Sequence, residues 1–177
     1  MSRRERREPG LLQVRLFGPP RIIRNGTEMP MPPRKPATAL KILALRGGLV
    51  HQHKLAGWLW PDEDPSIALP RIRDVLAKAR RATGAHIQQR NEAIRVIDQL
   101  DCDIVKFIHL ASRAIARIDS PQEVNRLAIQ AQSLWVGPPL EEDRYEPWAQ
   151  TPLRQATELQ RQLWKLLPDT DHRTRTD

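Results

Sequence analysis

The chain has 177 residues, and its 29 lysines and arginines against 21 aspartates and glutamates give a formal net charge of +8. A single cysteine, Cys102, excludes an intramolecular disulfide, and no apolar run approaches the roughly 20 residues of a membrane helix, so we expect a cytoplasmic protein without a membrane partner. Residues 1–100 hold 19 lysines and arginines against 9 acidic residues, whereas residues 101–177 hold 10 against 12. This asymmetry predicts that the first half binds nucleic acid, unless the arginines only reflect genomic base composition.

The chain begins with a charged segment, residues 1–10, which lacks apolar anchors. We expect a disordered basic arm there, which either reaches DNA or only improves solubility. Apolar and polar residues alternate over 12–16, the period of a half-buried strand. A second extended segment, 21–24, is followed by Asn25-Gly26, a strong turn signal, so a hairpin is expected to return through 27–31. These segments predict a small antiparallel sheet.

Two short helices are predicted next, at residues 36–46 and 54–60. Pro36 suits the first turn of a helix, and Gly47-Gly48 is a typical helix end. In the second helix we expect leucines and one or both tryptophans to be buried.

Residues 59–84 (LWPDEDPSIALPRIRDVLAKARRATG) carry the most informative pattern in the chain. An acidic turn precedes a third helix, whose apolar residues recur in steps of three and four at Ala68, Ile72, Val75, Leu76, Ala79 and Thr83. Five cations fall off that row: Arg71, Arg73, Lys78, Arg80 and Arg81. A helix buried on one side and cationic on the other is typical of a recognition helix that enters a DNA groove.

After Gly84, two short extended runs, 87–90 and 93–97, flank a polar turn at Asn91-Glu92 and predict a β-hairpin. A small sheet, three helices and a hairpin follow one another in the order of a winged helix-turn-helix. We therefore predict such a domain at residues 11–98.

From residue 101 onward the pattern indicates amphipathic helices without strands. Helices are predicted at 103–118, at 121–135 behind an N-cap at Ser120, and at 147–167, where Pro152 marks a restart. A disordered polar tail is expected at 169–177. The predicted fold class is mostly α with a small β component, in which a winged helix-turn-helix precedes an all-α domain of about three helices at 101–168.

The chain resembles the Streptomyces antibiotic regulatory proteins, which join an OmpR-like winged helix to a helical, TPR-like bacterial transcriptional activation domain. The order and spacing of several segments carry the resemblance: Val14–Gly18 (VRLFG), Pro33–Lys35 (PRK), Leu55–Pro61 (LAGWLWP), Ile72-Arg73 with Arg80-Arg81, Asp103–Phe107, Leu134–Leu140 (LWVGPPL) and Trp148-Ala149. The resemblance covers about residues 11–165. It implies a non-enzymatic activator that binds promoter repeats and contacts RNA polymerase.

This sequence departs from the family pattern at several positions. Pro70 stands where the family has a polar residue, and we expect it to delay or kink the recognition helix. Asp74 lies near the centre of the polar face, where a carboxylate repels phosphate but can accept a hydrogen bond from cytosine. Ile94 replaces the aromatic residue of the wing, and the activation domain is shortened to about three helices.

Nine cationic residues are expected to contact DNA, unless they form only a solvated cationic face. Arg71, Lys78 and Arg81 are placed to approach bases or flanking phosphates, whereas Arg73 and Arg80 lie nearer the apolar row and suit phosphates or carboxylates within the domain. Arg34 and Lys35 precede the first helix, where they would bind phosphate together with its N–H groups. Arg90 and Arg95 flank the wing tip and suit a minor-groove or backbone contact.

The sequence indicates neither an enzyme nor a cofactor. No phosphate-binding glycine loop or nucleophile motif is present, and His51 and His53 lack the further ligands of a zinc site, so solvated loop histidines are expected. The acidic turn 62–64 is expected to cap the third helix. The acidic run 141–143 is expected to form a solvated loop or a polymerase-facing patch.

The sequence thus favours a DNA-binding transcriptional regulator whose helical domain contacts RNA polymerase or forms a homodimer. One alternative is a protein-interaction module with a degenerate winged helix that binds polymerase or another partner without reading DNA sequence. Another is binding of nucleic acid through charge alone.

Overall fold

Two small sheets and six α-helices make up the part of the chain that the computed structural model describes, residues 9–117 and 119–166. The fold is mostly helical with a small β component, as predicted. The expectations for a disordered arm and tail fall largely on residues 1–8 and 167–177, which lie outside the described residues.

The first sheet is built from strands β1 (Leu11–Arg15), β2 (Arg21–Arg24), β3 (Thr27–Met29) and β7 (Gln99–Cys102). Its order is β3-β2-β1-β7, with β1 antiparallel to β2 and parallel to β7. Between β2 and β3, Asn25 and Gly26 both adopt positive φ, 50° and 81°, which two-residue hairpin turns of this hand require. The predicted hairpin is therefore confirmed, although it ends at Met29.

Strand β7 was not predicted, since no strand was expected after residue 97. A parallel strand must pair with a residue run that is distant in sequence, and β7 joins β1 across more than 80 positions, with Val14 opposite Cys102. Local alternation in such a short strand is too weak to reveal this pairing.

Three helices follow the first hairpin: α1 (Arg34–Leu45), α2 (Gln52–Leu59) and α3 (Pro65–Thr83). Helices α1 and α2 each begin two residues before the predicted start. Gly47 and Gly48 adopt φ of 68° and 84° after α1, as a helix stop requires. The buried side chains of α3 match the predicted row from Ala68 to Thr83.

The second sheet forms the wing, with strands β4 (Leu49–His51), β5 (Ile87–Arg90) and β6 (Ala93–Val96) in the order β4-β6-β5. The β5–β6 hairpin confirms the prediction, whereas β4 was not predicted. This strand has three residues between a helix stop and a helix start, and only Val50 is buried, so its sequence lacks a readable period.

The remaining helices are α4 (Asp103–Ala116), α5 (Pro121–Gln132), a 3-10 turn at Glu141–Asp143 and α6 (Pro147–Leu166). The predicted restart at Pro152 is wrong, since α6 runs through it. One missing N–H removes one hydrogen bond, and the buried face of α6 continues past it from Trp148 through Ala156 to Leu163. The expected late start of the third helix at Pro70 is also wrong, since α3 begins at Pro65 and continues through Pro70.

The helical segment, residues 103–117 and 119–166, packs directly on the first sheet. The Phe17 ring lies 5.5 Å from that of Phe107 and 4.7 Å from that of Trp135, centroid to centroid. Gly18 N–H donates to the Pro138 carbonyl at 2.9 Å, and a Cβ on Gly137 would lie 2.9 Å from the Gly18 Cα. Glycine at 137 therefore permits two backbone segments to meet, and the two parts of the chain share one hydrophobic core.

Candidate nucleic-acid interface

Helix α3 presents its polar face because its opposite face is held in the core. Ile72, Leu76 and Ala79 are fully buried, whereas Arg71, Arg73, Lys78 and Arg81 are exposed. Asp64 caps the helix, since its carboxylate accepts the Ser66 N–H at 2.8 Å. Hydrogen bonds from the Ser66 side chain and backbone lower the pKa of Asp64. The predicted cap is thus confirmed for Asp64, and the start of the helix is defined.

Two of the cations predicted to contact DNA form ion pairs with carboxylates of the same molecule. Arg71 Nη1 lies 2.5–2.7 Å from both oxygens of Glu63, and its guanidinium also lies 5.8 Å from the Trp60 ring centre. Lys78 Nζ lies 2.7 Å from Asp74 Oδ2, one helical turn away. Each of these cations therefore already has an acidic partner within the molecule, which weakens its attraction for phosphate.

Arg73 and Arg81 are differently placed. Among the described residues neither forms a salt bridge or a side-chain hydrogen bond, and both are exposed. Arg81 lies almost opposite the centre of the buried row, on the outermost line of the helix. The 100° step per residue places Arg73 toward the Arg80 side of the helix. Among the described residues, these two guanidiniums are therefore the exposed cations of α3 without an acidic partner.

Arg80 instead stabilises the fold. Its Nε donates to the Ile87 carbonyl at 2.8 Å, which ties the end of α3 to the first strand of the wing. Burial of this half-buried side chain lowers its pKa from the ordinary value for arginine. The sequence suggested a phosphate or carboxylate partner, and the partner in the structure is a backbone carbonyl.

A groove of about 510 Å³ lies between the start of α1 and the exposed face of α3. Arg34 and Lys35 line it from the first turn of α1, not from before the helix as predicted. Lys35 donates to the Leu59 carbonyl and lies 5.7 Å from the Trp60 ring centre, so it also stabilises the fold. The Arg34 side chain is 86% exposed and lies 3.4 Å from Glu146. Of the two, Arg34 is the freer to bind phosphate.

Arg90 and Arg95 are exposed on the wing. The turn between its strands uses two residues with positive φ, Asn91 at 48° and Glu92 at 63°. Both residues were predicted to form the turn, but the neighbours of Glu92 were not: its carboxylate lies 3.2 Å from His51 Nε2 and 3.8 Å from His53 Nε2. Strand β4 creates this proximity by pairing His51 with Ala93, across about 40 positions of sequence.

The described residues give little support for a metal site, a nucleophilic cysteine or a membrane-spanning helix. No group of three or more His, Cys, Asp or Glu there is arranged to hold a metal ion. Burial raises the pKa of Cys102 to about 12, so its thiol is unsuited to nucleophilic chemistry. The helices that the structure describes include none long and apolar enough to cross a membrane.

Comparison with known proteins supports the fold alone. No protein-family model and no curated protein sequence matches the chain. A solved structure, Mycobacterium tuberculosis EmbR in complex with a low-affinity phosphopeptide, is similar over 89% of this chain with a TM-score of 0.67 and 22% sequence identity. The match spans 44% of the EmbR chain. The two proteins therefore share a fold over nearly all of this chain and less than half of EmbR.

Proposed function

We propose that the chain is a transcriptional regulator of the Streptomyces antibiotic regulatory type, which binds promoter repeats in double-stranded DNA through α3 and the wing. The observation that carries the proposal is the pair Arg73 and Arg81, exposed and without an acidic partner among the described residues, on a helix whose other face is buried. The fold shared with EmbR supports the placement of this helix within the molecule.

In this proposal, α3 enters the major groove with Arg81 foremost. An arginine that pairs with guanine contributes roughly 1–3 kcal/mol of discrimination, whereas one that binds phosphate adds affinity without sequence preference. Arg90 and Arg95 contact the backbone or the minor groove from the wing. Arg34, Arg71 and Lys78 bind phosphates at the groove beside α1 once they release their carboxylates.

The helical segment would contact RNA polymerase or a second copy of the chain and so act as a shortened activation domain. Support comes from its packing on the first sheet through Phe17, Phe107 and Trp135, which holds it in a defined position beside the DNA-binding face. A rigid connection of this kind lets DNA binding fix where the partner is presented.

A second candidate function is a protein-interaction module that has lost DNA reading. The ion pairs Arg71–Glu63 and Lys78–Asp74 favour it, because half of the exposed cations of α3 are neutralised within the molecule. Under this alternative the chain binds polymerase or another protein, and DNA sequence has no effect.

The experiment that separates the two is selection of genomic fragments by the purified chain at near-physiological salt, followed by sequencing. The proposal expects enrichment of a repeated motif that is lost in the double variant Arg73→Ala, Arg81→Ala. Arg154→Ala, an exposed arginine on α6, removes a charge elsewhere and serves as the control. Affinity of the double variant should also depend less steeply on salt, since fewer phosphates are neutralised.

Enrichment without a motif would indicate binding through charge alone. No enrichment, together with retained binding to polymerase, would establish the interaction module. An unchanged motif in the double variant would show that α3 is not the reading helix.

A further inference from the structure

Three titratable side chains meet at the tip of the wing. His51 ends β4, His53 lies in the first turn of α2, and Glu92 stands in the turn between β5 and β6. The Glu92 carboxylate lies 3.2 Å from His51 Nε2 and 3.8 Å from His53 Nε2. The two imidazole rings stack with centroids 5.4 Å apart. We call these three residues the wing-tip cluster.

Backbone pairing holds the wing-tip cluster together. His51 is opposite Ala93 in the sheet, and the Gln52 N–H donates to the Glu92 carbonyl at 2.7 Å. The Gln89 side-chain amide donates to the Gln52 side-chain oxygen at 2.8 Å, which links β5 to α2. The proximity of the three side chains therefore does not depend on their own weak ion pairs.

The wing-tip cluster is open to solvent and lies beside the cations of the wing. The side chains of His51, His53 and Glu92 are 52%, 50% and 57% exposed. His51 and Arg90 both pair with Ala93, so the three residues form one row across the sheet and their side chains lie on the same face. Arg95 lies two positions after Ala93 on β6 and therefore shares that face. From α2, Lys54 lies 5.6 Å from the Trp58 ring centre. Glu92 is thus the acidic member of an otherwise cationic surface.

We propose that the wing-tip cluster makes the wing a pH-sensitive DNA contact. Histidine is the side chain whose charge ordinarily changes between about pH 5 and 8. With both imidazoles neutral, Glu92 leaves negative charge at the tip and opposes the DNA backbone. When both are protonated they outweigh Glu92, the cluster becomes positive, and it joins Arg90 and Arg95 in binding phosphate. The inference rests on the proposed function, since its partner is DNA.

The test is the affinity of the full chain for a mixed-sequence duplex of about 30 base pairs, measured by fluorescence anisotropy at low salt and at pH 6 and pH 8. We expect binding to tighten roughly 3- to 10-fold at the lower pH, as two exposed charges of modest strength allow. The double variant His51→Gln, His53→Gln should lose most of this ratio. Glu92→Gln should bind more tightly than the unmodified chain at pH 8.

His109→Gln, which removes an exposed histidine on α4, is the matched control and should keep the full ratio. A ratio that survives in the double variant would overturn the inference, as would a Glu92→Gln variant that binds no better at pH 8. Circular dichroism of each variant checks the fold, and His53→Gln alone provides a milder substitution. Failure of every chain to bind DNA at either pH would instead contradict the proposed function.

Discussion

Asp74 and Lys78 show how single residues set the strength of the α3 surface. The carboxylate of Asp74 stands close to the outermost line of the helix and neutralises Lys78 at 2.7 Å. On a surface that meets DNA, this carboxylate lowers affinity in two ways, because it repels phosphate and it occupies an ammonium group. A carboxylate at this position can also read a base, since it accepts a hydrogen bond from cytosine N4.

We expect Asp74→Asn to tighten binding of a mixed-sequence duplex by roughly 2- to 5-fold at low salt, with the gain shrinking as salt rises. Anisotropy titrations at two salt concentrations measure it. Glu158→Gln, which breaks an exposed ion pair with Arg161 on α6, is the control. Weaker binding of Asp74→Asn to a selected motif would show instead that the carboxylate reads a base.

Asp98 organises the junction between the first sheet and the wing. Its carboxylate accepts the backbone N–H groups of Gly10 and His86 at 2.8 and 2.5 Å and pairs with Arg24 at 3.1 Å. Burial by itself raises the pKa of Asp98, but these hydrogen bonds outweigh burial and hold its pKa below the ordinary 3.8. The charged form is therefore the one that the fold stabilises.

Because the folded pKa of Asp98 is depressed, its contribution to stability is present above about pH 4 and is lost as the pH falls through the folded pKa. We expect Asp98→Asn to lower the free energy of unfolding at pH 7 by about 2–4 kcal/mol, since it leaves the largely buried side chain of Arg24 without its carboxylate. Urea denaturation at pH 7 and pH 3 should show a smaller difference at pH 3. A difference that is equal at both pH values would contradict this account.

At the scale of the element, α3 is long and well capped, although Pro70 interrupts its backbone hydrogen bonding. Pro70 lacks the N–H that would bond to the Ser66 carbonyl, yet the buried row from Ala68 to Thr83 keeps the helix continuous. The helix ends at Gly84, which adopts φ of 66°. Because Arg80 donates a hydrogen bond to the Ile87 carbonyl, the end of α3 also fixes the position of the first strand of the wing hairpin. Packing thus overrides a local preference against helix.

Pro70→Ala should restore one backbone hydrogen bond and raise the free energy of unfolding by about 1–2 kcal/mol, after the extra freedom of the unfolded chain is subtracted. Chemical denaturation measures this change. Pro152→Ala in α6 has the same relation to its helix and should stabilise similarly while leaving DNA affinity unchanged. Destabilisation by Pro70→Ala would mean that proline relieves strain at this position.

At the scale of the whole molecule, an ion pair between a buried lysine and a partly exposed carboxylate connects the winged helix to the helical segment. Lys41, a buried residue of α1, lies 2.6 Å from Asp143 and 3.7 Å from the more exposed Glu142. The acidic run was expected to be solvated or to face polymerase, and the structure instead pairs part of it with α1. This contact helps to define how the helical segment is held relative to α1 and the winged helix.

Asp143→Ala should lower the free energy of unfolding by about 2–4 kcal/mol, because a buried ammonium group then loses its main partner. Lys41→Met should cost less, about 1 kcal/mol, since the partly exposed carboxylate can be hydrated and the apolar chain fills the same space. Thermal unfolding of both variants tests the order. Glu141→Ala, from the same acidic turn, is the control, and an equal loss in all three variants would refute the assignment.

Much of the fold could be predicted because the signals were local. The buried row of α3, the Asn25-Gly26 turn and the hairpin around Asn91 each depend on a few neighbouring residues, whose period or turn chemistry has one good structural solution. The missed elements, β4 and β7, are short strands whose partners lie far away in sequence. Their formation depends on sheet pairing and not on their own pattern.

The candidate site, too, could be predicted only where its features depend on neighbouring residues in the sequence. By itself the sequence determined that α3 is cationic on one side and apolar on the other, because helical spacing follows from residue order. Only the tertiary structure decided which cations remain accessible: it joined Arg71 to Glu63, turned Arg80 toward the wing, buried Lys41 against Asp143, and brought Glu92 to two histidines. Charge interactions act through space over a few ångströms, so the distances that govern them exist only once the chain is folded.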